Sequence, residues 1–369
     1  MIYHIYWGTA GNAGLYMDEI YQTLQKAGFE QKCFVSYYYP FDYGEKVFFK
    51  RTEMEHCHYK GALRRAMQAF ELLIALIRIL LAARKEKPQV INYSYVSTGN
   101  KVIYWFIKKV KKESRCRLVI TCHDVVPFAK DADAYDKELI IKRKIYALAD
   151  FFLIHNNNSR NDLLRIFKVN PDQVLEHPFP LMDLSKLNIE SEGIEERYDF
   201  LFIGHLRREK GIEFLMEAWP LFHRLHPSAR LCVAGNPAYY RDFIESKRSE
   251  CENNGIELIM GFVSDIEYIR LVRSAKFVLF PYLSGTNSGV ISTVISLNKG
   301  VITSDIEMFI NNPLVPKDMM FKVGDIQSFI DILETMYNRD IVVDNKELIY
   351  DYRKVFSEQI YRVYSFITK

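Results

Sequence analysis

The chain has 369 residues, about twice the length of a typical single domain, so two domains are expected. Hydrophobic residues make up 49% and charged residues 26%, which excludes a disordered, collagen-like or coiled-coil chain. A net charge of +3 excludes a molecule that binds polyanions over its whole surface. Six scattered cysteines without a Cys-x-x-Cys pair, and a start without a signal-peptide pattern, predict a cytoplasmic protein.

Short apolar runs alternate with helical patterns along the chain. In the first half, strands are predicted at 2–7, 32–36, 90–93, 117–121 and 151–154, and helices at 16–27, 60–87, 100–113 and 137–149. In the second half, strands are predicted at 199–203, 230–234, 257–260, 277–280 and 301–303, and helices at 211–225, 239–254, 265–274, from 290, and from 326 to the end. This alternation predicts parallel, doubly wound sheets.

The break between the two series is a polar, acidic stretch. It predicts an N-terminal Rossmann-like domain over 1–182, a linker over 183–198 and a second Rossmann-like domain over 199–345. The fold class is therefore α/β, with two doubly wound domains facing a cleft. Ligands of such sheets bind at the carboxyl ends of the strands, so we expect the ligand in that cleft.

A glycine-rich loop, 8–14, follows the first predicted strand. It does not fit a dinucleotide fingerprint, because Ala10 replaces the middle glycine and the end of the second strand, 34–39, carries no acid. Two interpretations remain for Gly11, Asn12 and Ala13. They form either a turn for close packing or a ligand loop at a helix N-terminus.

The second domain carries a sharper signal between a strand and a helix. Gly204 allows a tight turn, and Arg207 and Lys210 follow it where the helix begins. Cations are disfavoured at a helix N-terminus unless an anion lies between them and the helix. A diphosphate would fit, since Arg binds two oxygens and Lys acts as a point charge. The alternative is a solvated basic turn.

A second loop of the same kind ends at Val290. It contains small polar residues, Thr286, Asn287 and Ser288, and it opens a predicted helix at Gly289. Hydroxyls and free amides at such a position can cap the helix or hold phosphate oxygens.

Taken in order, these segments resemble the GT-B glycosyltransferases of the retaining, family-four type over nearly the whole chain. The F-x-G-x-(I/L)-R-x-x-K-G motif matches 202–211, and A-G-N and G-F-V follow at 234–236 and 261–263. A T-x-H-D-x-x-P motif matches 121–127. The final donor loop, with P-Y at 281 and S-G-V at 288–290, is a variant seen in polysaccharide-assembly members.

The resemblance implies roles for individual residues. His123 would be the catalytic residue at the reacting sugar, and Gly11, Asn12 and Ala13 a loop beside acceptor or donor. The donor diphosphate would be held by Arg207, Lys210, Ser288, Gly289 and Val290, and the sugar and nucleobase by Gly204, Phe262, Val263, Thr286 and Asn287. No metal or cofactor is implied, the UDP- or GDP-linked sugar being a substrate. The final helix, 346–369, would cross back to the first domain.

One feature departs from the family pattern. Two Glu residues eight positions apart are usual at the last donor loop, and here those positions fall on Asn287 and Ile295, or on Ser288 and Ser296 if the register shifts by one. The predicted activity is metal-independent, retaining hexosyl transfer to a glycan or polyprenyl-diphosphate-linked acceptor in cell-surface polysaccharide biosynthesis. The missing Glu pair favours the alternative of a non-catalytic partner subunit. A nucleotide-sugar epimerase would need a carboxylate pair that the sequence does not provide.

The positive charge is concentrated in two stretches of the first domain. Residues 60–87 carry a net charge of +5 and residues 101–117 a net charge of +6, which leaves −8 for the rest. Aromatic residues at 104–106, and further candidates at 37–39, 41 and 43, predict peripheral contact with an anionic membrane at its inner face. The alternative is a solvated helix face. The apolar stretch 70–83 is predicted to be too short and too charged to span a bilayer, and no nucleic-acid module is present.

Overall fold

The computed structural model describes residues 1–7, 12–53, 57–94, 101–123, 125–127, 132–184, 194–285, 289–338 and 343–369, with the backbone alone at 12, 13, 132–134 and 238. The chain divides into two compact units. The first comprises Met1–Pro180 and Lys354–Lys369, and the second comprises Leu181–Arg353.

The first unit is built on one parallel sheet. Its strands are β1 (Ile2–Ile5), β2 (Gln31–Ser36), β3 (Glu45–Phe48), β4 (Val90–Ser94), β5 (Arg117–Thr121), β6 (Phe151–Ile154) and β7 (Val174–Glu176). Within the described chain they pair in the order β3-β2-β1-β4-β5-β6-β7. The helices are α1 (Asn12–Lys26), α2 (Gly61–Glu86), α3 (Lys101–Ser114), α4 (Ala132–Tyr146) and α5 (Asn157–Asp162).

The second unit repeats the same plan. Its strands are β8 (Tyr198–Ile203), β9 (Leu231–Gly235), β10 (Ile256–Met260), β11 (Ala275–Phe280), β12 (Gly300–Ser304) and β13 (Met320–Phe321). They pair in parallel in the order β10-β9-β8-β11-β12-β13. The helices are α6 (Ile212–Leu225), α7 (Arg241–Ser246), α8 (Arg248–Asn253), α9 (Asp265–Arg273), α10 (Gly289–Ser296), α11 (Glu307–Ile310) and α12 (Ile326–Asn338). The last helix of the chain, α13 (Lys346–Thr368), begins in this unit.

The sequence pattern is confirmed at the central strands and at the edge strand β10, but not at the other three edge strands. β1, β4, β9 and β12 are buried along their whole length, because a parallel sheet covered on both faces requires continuous apolar runs. The sequence gives no signal for β3, β7 and β13, which are short and lie at sheet edges. The single helix predicted over 239–254 is wrong, since α7 and α8 are separate helices that meet at Lys247.

The last helix is shared by the two units. It begins at Lys346, but its residues up to 353 belong to the second unit, where Tyr352 is buried in the core. From Lys354 onward it belongs to the first unit. There Tyr364 accepts a 2.8 Å hydrogen bond from the amide of Asn92 in β4, and Arg117 donates one of 2.8 Å to the carbonyl of Ile367. The two compact units therefore meet at Pro180 and Leu181 and again at Arg353 and Lys354 along the chain.

Candidate functional site

Four loops of the second unit lie side by side at one edge of its sheet. They follow β10, β9, β8 and β11, which are neighbours in that order. Because all strands are parallel, their carboxyl ends meet at the same edge. The predicted donor residues fall in these loops, with Gly204, Arg207 and Lys210 after β8 and Phe262 and Val263 after β10.

Two glycines allow these loops to approach one another closely. A Cβ atom on Gly235, which has a φ of +140°, would lie 1.7 Å from the carbonyl oxygen of Gly204. A Cβ on Gly211, with a φ of +79°, would lie 1.8 Å from the carbonyl oxygen of Pro281. Only glycine combines a positive φ with such a contact. The A-G-N and K-G motifs therefore fix the spacing of the loops.

Glu209 fastens the loop after β8 to the loop after β11. Its carbonyl oxygen accepts hydrogen bonds from the backbone amides of Leu283, at 3.0 Å, and Ser284, at 3.4 Å. The amide of Lys210 donates to the carbonyl of Arg207 at 3.0 Å and closes a 3-10 turn. Arg207 and Lys210 therefore lie on a turn whose backbone is hydrogen-bonded to a second loop. We call it the braced turn.

Lys210 is the more constrained of the two cations. Its Nζ atom lies 3.8 Å from the centroid of the Tyr282 ring, a cation–π distance. Burial lowers the pKa of Lys210 to about 8, with a smaller contribution from the positive charge of Arg207, and Glu209 opposes the shift. Sequence reasoning missed Tyr282, although it belongs to the P-Y motif.

Arg207 is half-buried beside an acid. Its Nη1 lies 3.7 Å from a carboxylate oxygen of Glu209, and its Nε is buried without a hydrogen-bond partner among the described residues. Arg208, by contrast, points outward and pairs with Glu213 at 3.6 Å. Burial and the neighbouring cations also lower the pKa of His205. The turn thus concentrates positive charge that an anion would balance.

The loop before α10 is described only in part. Thr286, Asn287 and Ser288 lie outside the described residues, while Gly289 and Val290 form the first turn of α10. Ile295 is 1% exposed and packs in the core. The hydroxyl of Ser296 donates to the carbonyl of Ser292 at 2.7 Å. In the register that puts the second family Glu at Ile295, that position is therefore a core position in this chain.

The remaining predicted donor residues differ in exposure. The side chain of Phe262 is 71% exposed, whereas Val263 packs partly against the core. The amide of Gly261 donates to the carbonyl of Gly235 at 2.9 Å, which places the G-F-V segment against the A-G-N segment. An exposed aromatic ring at a strand end provides a face on which a flat ring could stack.

His123 belongs to an aromatic cluster of the first unit. It follows β5, His155 follows β6 and His177 follows β7, and these three strands are adjacent. The His123 ring centroid lies 4.6 Å from that of Tyr16 and 5.3 Å from that of His155. His155 and His177 are 4.7 Å apart, centroid to centroid. The sequence motifs included these histidines, but their contact with Tyr16 of α1 was missed.

The histidines of this cluster are neutral at pH 7. Burial lowers the pKa of His123 and of His177 to about 4, with the charge of His177 adding to the shift of His123. Burial also lowers the pKa of His155 well below its usual value. His177 Nδ1 donates to the carbonyl of Pro178 at 2.9 Å, so its Nε2 accepts from the Tyr16 hydroxyl at 3.2 Å. A neutral imidazole can both donate and accept, which suits contact with sugar hydroxyls.

The predicted glycine-rich loop is only partly described, and metal ligands and disulfides can be checked in the rest of the chain. Gly11 lies outside the described residues, and of Asn12 and Ala13 only the backbone is described, at the start of α1. Within the described ranges, no three His, Cys, Asp or Glu side chains are grouped so that they could hold a metal ion. All six cysteines lie in the described chain, and none forms a disulfide.

The second unit is similar in sequence to a known protein family, and the whole chain is similar in fold to solved structures. Residues 197–339, the region of the four loops, match the family "Glycosyl transferases group 1". No curated protein sequence matched the chain. The fold is that of the GT-B glycosyltransferases. The predicted fold class of two Rossmann-like α/β domains is confirmed.

Three solved structures illustrate the likeness. Sucrose-phosphate synthase from Thermosynechococcus elongatus is 15% identical with a TM-score of 0.61, covering 100% of this chain and 96% of that one. HepE of Anabaena in complex with UDP is 11% identical with a TM-score of 0.61, covering 99% of both chains. The catalytic domain of Arabidopsis thaliana starch synthase IV, bound to ADP and acarbose, is 12% identical with a TM-score of 0.62, covering 100% and 99%.

Proposed function

We propose that this protein is a glycosyltransferase that moves a hexose from a UDP- or GDP-linked donor to a glycan or polyprenyl-diphosphate-linked acceptor, with retention and without a metal. The observation that carries the proposal is the braced turn with Arg207 and Lys210. The match of residues 197–339 to group 1 glycosyltransferases supports it, as do similar folds solved with UDP or ADP. We place the reaction in cell-surface polysaccharide biosynthesis, at the inner face of the membrane.

The chemistry follows from the charge that develops on the leaving group. The bond between the sugar anomeric carbon and the diphosphate oxygen breaks, the acceptor oxygen bonds to the same face of that carbon, and the acceptor proton passes to the departing phosphate. Arg207 and Lys210 would stabilise the diphosphate, whose charge grows in the transition state. Ser288 and the amides of Gly289 and Val290 would complete the site.

The other roles stay proposals of the same kind. His123, neutral by burial, would contact the donor sugar or orient the acceptor hydroxyl. Gly204, Phe262, Val263, Thr286 and Asn287 would contact the sugar and nucleobase. Gly11, Asn12 and Ala13 would form the loop beside donor or acceptor. A buried Ile295 in place of the usual Glu implies that the ribose is held by other groups.

The first test is a thermal-shift panel of nucleoside diphosphates and nucleotide-sugars. We expect stabilisation by one base family, at least tenfold weaker binding in Arg207→Ala, and unchanged binding in the matched control Arg208→Ala. The control lies on the same turn but pairs with Glu213, outside the cationic site. Transfer with that donor, followed by NMR of the anomeric configuration, then tests retention. Stabilisation without any transfer or hydrolysis would favour the partner-subunit alternative.

A further inference from the structure

Helix α2 carries two apolar faces. One face packs in the core of the first unit, with Ala75, Leu76, Ile79, Leu80 and Ala83 buried. The other is exposed and has large side chains at helical spacing. We call this exposed face the α2 stripe, which consists of Leu63 (58% exposed), Phe70 (56%), Leu73 (40%), Ile77 (40%) and Leu81 (53%).

An exposed row of this length needs a physical reason. Single exposed apolar residues are ordinary, but a continuous apolar face on a soluble unit marks an interaction site. α2 also packs against α3, on which Trp105 is 43% exposed. Of the other aromatic candidates, Tyr37 is 38% exposed, Tyr39 is buried and Tyr43 stacks on Tyr21 at 3.9 Å, so that segment is only partly exposed.

The charges around the stripe identify its partner. The three acids of α2 and α3 are all engaged. Glu71 accepts hydrogen bonds from the Thr52 hydroxyl at 2.6 Å and from the Arg51 amide, Glu86 pairs with Lys32, and Glu113 pairs with Arg84 and Lys109. In the part of the chain that the structure describes, exposed cations of the two helices remain without a salt bridge. They are Arg65, Arg78, Lys85, Lys101, Lys108 and Lys112.

This arrangement complements an anionic lipid surface. Lys85 follows Leu81 by four residues, so it continues the same face of α2. An apolar row bordered by cations matches the interface of a bilayer, where acyl chains lie beneath negatively charged headgroups. Protein partners with acidic grooves would fit the charge, but a row of large exposed side chains along several turns of the helix fits a lipid interface better.

The burial of α2 favours a helix that lies along a membrane surface over one that crosses it. By length and composition α2 could span a bilayer, which corrects the expectation drawn from 70–83 alone. However, a third of its most apolar window is buried in the unit. Spanning would pull Leu76, Ile79 and Leu80 out of the core and leave a cavity where their side chains pack. Insertion parallel to the surface leaves those contacts intact.

We propose that the α2 stripe inserts into the interfacial layer of an anionic bilayer, with the free cations of α2 and α3 at the headgroups. This proposal rests on the membrane location given in the proposed function, and not on the transfer reaction. It commits to phospholipid as the partner, the other possible occupant being a second copy of the chain.

Sedimentation with lipid vesicles tests it. The full chain is expected to sediment with vesicles of equal phosphatidylglycerol and phosphatidylcholine and to remain largely in solution with phosphatidylcholine alone. The double variant Phe70→Gln/Leu81→Gln is expected to lose at least tenfold in partitioning. The matched control is Leu221→Gln/Leu225→Gln on α6, where the side chains are 38% and 59% exposed, and it should bind like the parent. Circular dichroism confirms that both variants fold.

The outcomes separate the two proposals. Equal binding of parent and Phe70→Gln/Leu81→Gln would overturn the role of the α2 stripe while leaving a membrane location intact. Failure of the parent to bind either vesicle would overturn both the stripe and the location, whereas donor binding and transfer, measured without vesicles, would be unaffected. A parent dimer that becomes monomeric in the double variant would assign the stripe to a second copy of the chain and also overturn the proposal.

Discussion

Both units contain shielded titratable groups, among them neutral imidazoles in the first unit and cations in the second. The first buries His4 and His177 completely, each with a pKa lowered to about 4, so both are neutral and fully hydrogen-bonded. The second half-buries Arg207 and Lys210, and the pKa of Lys210, about 8, leaves its amine mostly protonated at pH 7. A neutral imidazole fits a packed interior at small cost, whereas half-buried cations require a counter-charge.

The two units also differ in how closely the positions of their cations are fixed. The most basic stretches of the chain lie on α2 and α3, where the cations are exposed and carry little information individually. The two cations of the β8 loop are fewer, but backbone hydrogen bonds and a tyrosine ring fix their positions. Fixed, partly desolvated cations mark an anion site better than a high local charge does.

The largest expected effect concerns the backbone that holds those cations. Gly235→Ala should lower the free energy of unfolding of the second unit by more than about 3 kcal/mol, because its Cβ would overlap the carbonyl of Gly204. Gly324→Ala is the control, since Gly324 has a φ of +73° but nothing within 4 Å. It should cost only about 1 kcal/mol. Urea denaturation followed by tryptophan fluorescence compares the two. Equal losses would show that the loops can separate.

The neutral histidines of the first unit predict acid sensitivity. A folded-state pKa near 4 against an unfolded value of about 6.5 means that the unfolded chain binds more protons between these pH values. Stability is therefore complete above pH 6.5 and falls as pH drops towards 4, by at most about 1.4 kcal/mol per pH unit for each histidine. His4→Asn should flatten this slope in urea titrations at several pH values. An unchanged slope would exclude His4 as a contributor.

Lys210 predicts a pH dependence of the opposite direction for ligand binding. Only the protonated amine attracts the diphosphate, and its pKa is about 8. Affinity for a nucleotide-sugar, whose phosphates do not titrate in this range, should fall about tenfold from pH 7 to pH 9. Lys210→Arg, which stays charged, should bind equally at both values. Calorimetric titrations at pH 7 and pH 9 measure these affinities. If the unmodified protein bound the nucleotide-sugar equally at both pH values, Lys210 would not belong to the donor site.

The smallest effect is expected at Glu209. Its carboxylate lies 3.7 Å from Arg207 in a half-exposed pair, which contributes little to stability. Glu209→Gln should leave the melting temperature nearly unchanged and strengthen nucleoside diphosphate binding a few-fold, because the carboxylate no longer competes for Arg207. Its backbone carbonyl still braces the neighbouring loop. Weaker binding in this variant would mean that the carboxylate positions Arg207 for the anion.

Much of the fold was predictable because its signals are local. The bounds of β5 and β6, Arg117–Thr121 and Phe151–Ile154, agree with the apolar runs in the sequence. β3 was not predictable, since Glu45 and Lys46 give it the appearance of a polar loop. Only pairing with β2 makes it a strand.

The residues of the candidate site also differ in whether the sequence alone could predict them. Arg207 and Lys210 could be found from sequence because they share one short turn. Tyr282 and the carbonyl of Glu209 could not be assigned, because their contacts depend on β8 and β11 being neighbours. Two strands lie between them along the chain. The histidine cluster likewise depends on three strands and on Tyr16 from α1.

The sequence by itself determined the alternation of strands and helices, the two-domain plan and the cationic turn, since each depends on residues close together in the chain. Tertiary structure decided which loops meet, which histidines are neutral and which face of α2 is exposed. Burial and strand order are properties of the packed unit, so composition and spacing carry no direct record of them. The α2 stripe shows this most plainly, because its two apolar faces are distinguishable only after one of them is in the core.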